Sequence, residues 1–302
     1  MISTPTLSDL DWVAMQPFGA EVHGFDVSRA SASGLAQLKL LLARHGVVVL
    51  RGANSTGSTG DENCKSDASG HAAADADDRF VEFLKRLGRL TFTAGETPVA
   101  SQPMLNIVSN MGRTTPPKSV FHTDTSYVSQ PPAYTALRPV MLPEAGGETV
   151  FSNQFVAYDT LPPHVKQLLA HTQVLHRVSG LPSEAGAEPA ECWHPLFKVH
   201  PLSGRRALFL STPQRCQAMS DVATDKAQRV IKILYQHSTR AHRLYHHRWC
   251  TKDLLIWDNR CTMHRGDHSG VIGNRVFHRG MVLAEDDTST DTRTDMPTNT
   301  PI

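Results

Sequence analysis

The chain has 302 residues, 40% of them apolar, which is enough to bury a substantial core within one large domain. Lys and Arg number 30 against 29 Asp and Glu, so the overall field gives no reason to expect nucleic acid or an anionic membrane as partner, and a small molecule fits better. The five cysteines, Cys64, Cys192, Cys216, Cys250 and Cys261, are scattered and never form CxxC spacing, which argues against a zinc knuckle or redox pair and for reduced thiols.

In chain order, the opening MISTPTLSDLDWV lacks a basic segment followed by an apolar run, and no later stretch approaches the ~18 apolar residues of a membrane span. A cytoplasmic protein is expected. Residues 34–46, GLAQLKLLLARHG, carry leucines at helical spacing, with Gly46 placed to end the helix; residues 47–50 then read as a buried strand. Residues 52–78 are rich in Gly, Ser, Ala and Asp and hold no large apolar side chain, which predicts a disordered surface insertion rather than a domain boundary.

Phe80, Phe83, Leu84 and Leu87 follow at i, i+3, i+4 and i+7, giving an amphipathic helix closed by Gly88. A third helix is expected over 165–171. A fourth carries Ala227, Val230, Ile231 and Leu234 as its stripe and ends near Gln236. Short β-like runs at 134–137, 148–151, 207–210, 254–257 and 275–283, many bounded by Gly, Pro or Asn, lie between the helices. The pattern predicts a mainly β domain over residues 1–284, a double-sheet jelly roll with helices packed outside. The tail, 285–302, is polar enough to be disordered.

The motif SVFHTDTSY sets His122 and Asp124 two apart, so in an extended segment both side chains leave one face. His264 arrives far downstream, just after the apolar run LLIWDN. Two imidazoles and one carboxylate make the facial set of non-haem Fe(II), which leaves positions open for co-substrate and O2. The same set also holds zinc and activates water, so a metallohydrolase stays open. A His-x-Asp pair is by itself common in a chain with 16 histidines. Arg275 and Arg279 add weight: in a strand they share a face about 13 Å apart, at ~3.3 Å per residue, and can flank a short dicarboxylate. A zinc hydrolase leaves both without a purpose.

These residues also carry a resemblance. FHTDTSY, the GGET of 146–149, HPLFKVHPLSGRRALFL at 194–210, WDNR at 257–260, and then His264, Arg275 and Arg279 together resemble the taurine dioxygenase and 2,4-dichlorophenoxyacetate dioxygenase family of 2-oxoglutarate-dependent oxygenases. The shared features run from about Phe18 to Val282, interrupted by 52–78. The resemblance implies a distorted jelly roll (a double-stranded β-helix, cupin-like) with His122, Asp124 and His264 as iron ligands. It further implies that Thr149 and Arg275 bind the distal carboxylate of 2-oxoglutarate, and that Arg279 lies by its metal-proximal carboxylate and near an anionic substrate head. Lys118 falls where the family lines the substrate pocket.

The implied reaction couples oxidative decarboxylation of 2-oxoglutarate, giving succinate and CO2, to C–H hydroxylation of a small anionic substrate, with Fe(II) and O2 required. Taurine itself is not expected, because taurine-using members place a histidine shortly after the segment matching 87–90, and residues 88–121 contain none. A non-catalytic 2-oxoglutarate-binding protein on the same fold is a further alternative, and a homo-oligomer is left open. Among the remaining candidates, His194 and His200 read as structural hydrogen-bonders, and Trp257 to Arg260 as support for the site. His237, His242, His246 and His247 read as a solvated basic face, and His278 as facing away from Arg275 and Arg279.

Overall fold

The computed structural model describes residues 7, 10–53, 70–93, 95–113, 119–178 and 190–284. Residues 54–69 of the predicted insertion, the tail 285–302 and Lys118 lie outside the described residues. Strands β1 (Asp11–Ala14) and β2 (Ala20–His23) pair antiparallel, and helix α1 (Ala32–His45) leads into β3 (Val47–Arg51). The helix begins where Ser31 Oγ accepts the Gly34 N–H at 3.0 Å. It stops at Gly46, whose φ of 75° lies where a side chain is strained and whose added β-carbon would sit 2.8 Å from Thr262 Cγ2.

Helix α2 (Gly70–Leu87) corrects the prediction that the polar segment extends to residue 78. Its turn containing Asp77 is tied down from outside, because the buried Asp77 carboxylate accepts hydrogen bonds from Arg138 and from His278 Nδ1, the latter at 2.8 Å. Hydropathy scores those residues as loop, whereas the alanines among residues 72–76 favour helix and a tertiary ion pair anchors Asp77.

Next come β4 (Arg89–Thr91), β5 (Asn106–Ser109), β6 (Tyr134–Met141) and β7 (Thr149–Asn153). Helix α3 (Gln154–Asp159) was not predicted. Asn153 starts it by accepting from the Phe155 and Val156 N–H groups, and a six-residue helix is too short to show a periodic stripe. Helix α4 (Pro163–Leu168) matches the third predicted helix in place, though it ends earlier. Strands β8 (Gln173–Val178), β9 (Ala190–Pro195), β10 (Phe197–Val199), β11 (Arg206–Leu208) and β12 (Cys216–Met219) precede helix α5 (Thr224–Ser238). The chain then runs through β13 (Leu244–His247), β14 (Leu254–Asp258), β15 (Thr262–Gly266) and β16 (Val276–Leu283).

Eight strands form the major sheet, in the order β1-β2-β3-β14-β6-β16-β4, with β5 also paired to β16. Its pairs are antiparallel except β2 with β3. A minor sheet, β13-β7-β15, packs on one face, and smaller sheets of β12-β8-β9 and β10-β11 lie beyond it. Alternation divides the cores. Val47, Val49, Leu255 and Trp257 point toward the minor sheet and pack with Phe151, Tyr245 and Phe277, while Val48, Leu50, Leu254 and Ile256 point the other way onto α1 and α2. Both faces of the central strands are therefore buried, each large apolar side chain contributing roughly 1.5–3 kcal/mol. The result is the predicted mainly β jelly roll with outer helices.

Among the described residues, Cys192, Cys216, Cys250 and Cys261 are free thiols, and no helix is long and apolar enough to cross a membrane.

Candidate functional site

His122, Asp124 and His264 meet between the two main sheets. His264 sits on β15 opposite Phe151 of β7, and His122 joins it by an isolated antiparallel bridge in which each N–H donates to the other's carbonyl at 3.0 Å. The segment around His122 is thus anchored at one residue instead of forming the extended strand the spacing suggested, and Asp124 begins the turn that follows. Convergence survives: Asp124 Oδ1 lies 3.6 Å from His122 Nε2 and 3.8 Å from His264 Nε2. One donor atom from each residue falls within 4.8 Å of the others, which is a group able to hold a metal ion.

The protonation pattern suits a cation. His122 Nδ1 donates to the Val120 carbonyl at 3.0 Å, which leaves the Nε2 lone pair facing the centre. Burial pushes the His264 imidazole down to about 3, so it is neutral and able to ligate. Burial alone would raise the Asp124 carboxyl, but the adjoining His264, Arg279 and His122 side chains hold it well below the usual carboxylate range. His264 Nδ1 is buried without a hydrogen-bond partner among the described residues.

A directed chain of donors fixes the carboxylate. Trp257 Nε1 donates to Asn259 Oδ1 at 3.0 Å, Asn259 Nδ2 to Thr135 Oγ1 at 2.7 Å, and Thr135 Oγ1 to Asp124 Oδ2 at 2.8 Å. Oδ2 is thereby occupied and Oδ1 left for the centre. The Trp257 ring also packs 4.4 Å from that of His264, with Phe151 behind both. Of the four WDNR residues read as support for the site, Trp257 and Asn259 reach it, whereas Asp258 and Arg260 pair with one another and with His200. Thr135 was not singled out, since in sequence it is one more β-branched strand residue.

Arg275 and Arg279 differ in their surroundings. Arg275 is buried over the Phe277 ring, donating from Nε to the Gly147 carbonyl at 3.0 Å and from Nη2 to Thr149 Oγ1 at 3.3 Å. Among the described residues no carboxylate lies within ion-pair distance of it. Burial lowers this guanidinium to about 10, and it remains charged at neutral pH. Thr149 Oγ1 also accepts from Trp249 Nε1 at 3.1 Å, so its own hydroxyl hydrogen is left to donate. Gly147 makes the approach feasible, because an added β-carbon there would sit 3.1 Å from Arg275 Cδ. Arg279 places Nη1 3.5 Å from Asp124 Oδ1 and Nη2 3.3 Å from Glu96 Oε1. The two arginines share a face of the β16 segment, whereas His278 turns outward to Asp77.

A second group, His200, Asp258 and Cys261, is also close enough to hold an ion. Its carboxylate is already consumed: Asp258 Oδ2 takes His200 Nε2 at 2.9 Å and Arg260 Nη2 at 2.7 Å, and Oδ1 takes the Arg260 N–H and Nε, each at 2.9 Å. It is a structural ion pair. His194 likewise hydrogen-bonds the Val128 carbonyl at 3.0 Å. Of the four histidines read as a solvated face, His247 departs, being fully buried with Nε2 3.2 Å from Asp253 Oδ2.

A family model described as "Taurine catabolism dioxygenase TauD, TfdA family" matches residues 13–281. An alpha-ketoglutarate-dependent 2,4-dichlorophenoxyacetate dioxygenase of Burkholderia sp. (strain RASC) is 32% identical over 174 residues, covering 54% of this chain and 58% of that protein. An alpha-ketoglutarate-dependent sulfate ester dioxygenase of Pseudomonas putida is 27% identical over 265 residues, covering 82% of this chain and 80% of that protein. A solved taurine dioxygenase from Burkholderia xenovorans superposes with a TM-score of 0.74 at 24% identity, covering 91% of each chain. AAD-2, solved with Mn(II) and N-oxalylglycine, superposes at 0.70 with 20% identity over 92% of this chain and 98% of that one. The match spans under two thirds of the 2,4-dichlorophenoxyacetate dioxygenases' own length, at 58% and 65%.

A double-sheet jelly roll thus brings two imidazoles and a carboxylate within reach of one ion, beside paired arginines. The chain belongs to the TauD/TfdA family.

Proposed function

We propose that the protein is an Fe(II)- and 2-oxoglutarate-dependent dioxygenase, with His122, Asp124 and His264 holding the metal. The observation that carries this reading is the buried Arg275, a cation with no acid partner among the described residues, set beside a centre of two imidazoles and a carboxylate. A zinc hydrolase would have no use for it.

When bound, iron supplies the activation of O2 that converts 2-oxoglutarate to succinate and CO2 and delivers the second oxygen atom to a substrate C–H bond. The chain's own residues bind, orient and exclude water. Arg275 and Thr149 grip the distal carboxylate, the guanidinium offering its remaining N–H groups as a fork and Thr149 its hydroxyl hydrogen. Thr149 lies two residues along β7 from Phe151, the partner of His264, so the residues that would grip the carboxylate and those that would hold the metal line one face of the minor sheet. Arg279 serves that end. Thr135 keeps Asp124 Oδ1 turned to the ion, while Trp257 and Phe151 close the back of the site.

The primary substrate is a small organic anion, a reading supported by Arg279 and by relatives whose names specify a phenoxyacetate and a sulfate ester. Lys118 is kept as a candidate contact on sequence grounds alone. Anaerobic addition of Fe(II) and 2-oxoglutarate should give a weak visible charge-transfer band, which a zinc site would lack. His122→Ala or Asp124→Ala should abolish the band and succinate release, and full turnover in either variant would remove the mechanism. A screen of sulfonates, alkyl sulfates, aryloxyacids and amino acids by succinate release identifies the substrate class; stimulation by neutral or cationic compounds alone would refute the anion.

A further inference from the structure

Asn106 of β5 stands directly across the ladder from Arg279 of β16. Antiparallel partners project to the same face, and their neighbours establish which one. Val108, opposite Phe277, packs with the inner cluster, whereas Ile107, opposite His278, packs with the cluster under α2. Asn106 therefore points inward beside Arg279. It is 0% exposed, yet neither Nδ2 nor Oδ1 has a hydrogen-bond partner among the described residues. Arg279 Nε is buried without one as well. An amide left unpaired in the interior is costly, and an apolar side chain of similar size would fill the place without that cost, so the amide points to a partner that arrives from outside the chain.

Glu96 bears on the same spot. Ile107 donates its N–H to the Thr97 carbonyl at 2.8 Å and Pro98 bridges Asn106, so the 95–99 segment is laid along β5. From there Glu96 Oε1 reaches Arg279 Nη2 at 3.3 Å with its side chain still 41% exposed, against 12% for Arg279. The guanidinium is thus compensated by Asp124 on one nitrogen and by a half-exposed, displaceable carboxylate on another.

We propose that Asn106 is a ligand-contacting residue whose amide N–H acts with Arg279 Nε to receive an anionic oxygen, and that Glu96 is an internal stand-in carboxylate which that anion displaces. Oδ1 of Asn106 then favours a ligand, or a bridging water, that brings an O–H or N–H donor. The inference rests on the metal and 2-oxoglutarate reading above. The shared chemistry is a carboxylate or sulfonate oxygen, supplied by the metal-proximal end of 2-oxoglutarate or by the head of the primary substrate.

Calorimetric titration of the Mn(II)-loaded protein separates these sources. One arm titrates 2-oxoglutarate; the other titrates phenoxyacetate, ethanesulfonate and neutral phenoxyethanol into protein saturated with 2-oxoglutarate. Asn106→Leu should weaken an anion at least threefold in one arm, without lowering the Tm of the ligand-free protein, and Glu96→Gln should tighten the same anion at least threefold. Phenoxyethanol should respond to neither. A folded Asn106→Leu protein within threefold of wild type for every probe overturns the proposal, including the case in which no second-arm probe binds either protein. Should Asn106→Leu fail to fold, unchanged affinities in Glu96→Gln overturn it. Wild-type protein that takes up no 2-oxoglutarate overturns the underlying reading and this proposal with it, a result distinct from intact 2-oxoglutarate binding that neither substitution alters.

Discussion

Thr135 Oγ1 donates to Asp124 Oδ2 at 2.8 Å, and this one bond determines which carboxylate oxygen faces the two imidazoles. The hydroxyl can donate there because Asn259 Nδ2 already fills its acceptor side at 2.7 Å. Thr135→Val keeps the shape and removes both functions. Metal affinity should fall by ~10–100-fold, the usual cost of losing a group that orients a ligand. Stability should fall by about 1–3 kcal/mol, because Asn259 Nδ2 and Asp124 Oδ2 are left buried and unpaired. Mn(II) titration and urea unfolding measure the two effects, and unchanged metal affinity would show the bond to be incidental.

Arg275 offers a sharper test of charge against geometry. Arg275→Lys retains the cation but loses the fork that reaches Gly147, Thr149 and a carboxylate together, so 2-oxoglutarate should bind at least ~10-fold more weakly, a loss of about 1.4 kcal/mol or more. Arg275→Leu should weaken it further, and Thr149→Val by less. Wild-type affinity in Arg275→Leu, read by calorimetry on Mn(II)-loaded protein, would contradict the assignment.

The cluster of His200, Asp258 and Arg260 should behave as structure. Asp258→Asn leaves the buried His200 and the half-buried Arg260 without their carboxylate, and breaking such a pair costs up to about 3–5 kcal/mol. Equilibrium unfolding should show that loss, while metal analysis of the folded fraction still finds one ion per chain. Two ions per wild-type chain, with one lost in Asp258→Asn, would mean that the second group ligates.

Stability should also depend on pH through two histidines remote from the metal ligands. Burial holds the His176 imidazole well below its ordinary 6.5, and burial with Lys198 nearby lowers His194 to about 4. Both folded values are depressed, so between about 4 and 6.5 the unfolded chain binds more protons than the native one. The contribution is complete above about pH 6.5 and is lost as pH falls, at up to ~1.4 kcal/mol per pH unit for each proton. Urea midpoints from pH 7.5 to 4.5 should show the decline, and His176→Leu should flatten it; equal slopes in the two proteins would count against the assignment.

Much of this was legible in the residues themselves. Strand alternation alone put Arg275 and Arg279 on one face and His278 on the other, because side-chain direction in an extended chain has a period of two wherever the strand lies. Leucine spacing marked α1, and the run before Gln236 marked α5, since a helix declares its buried stripe locally. The residue types of His122, Asp124 and His264 named the chemistry available to them.

What the sequence could not contain is distance between segments far apart along it. Asp77 reads as part of a polar loop until Arg138 and His278 are brought against it. Thr135, Asn106 and Glu96 carry no motif; each matters because strand pairing sets it beside Asp124 or Arg279. Local periodicity is a property of the backbone and can be read along the chain, but a hydrogen bond or an unpaired amide depends on neighbours that only the folded sheets supply.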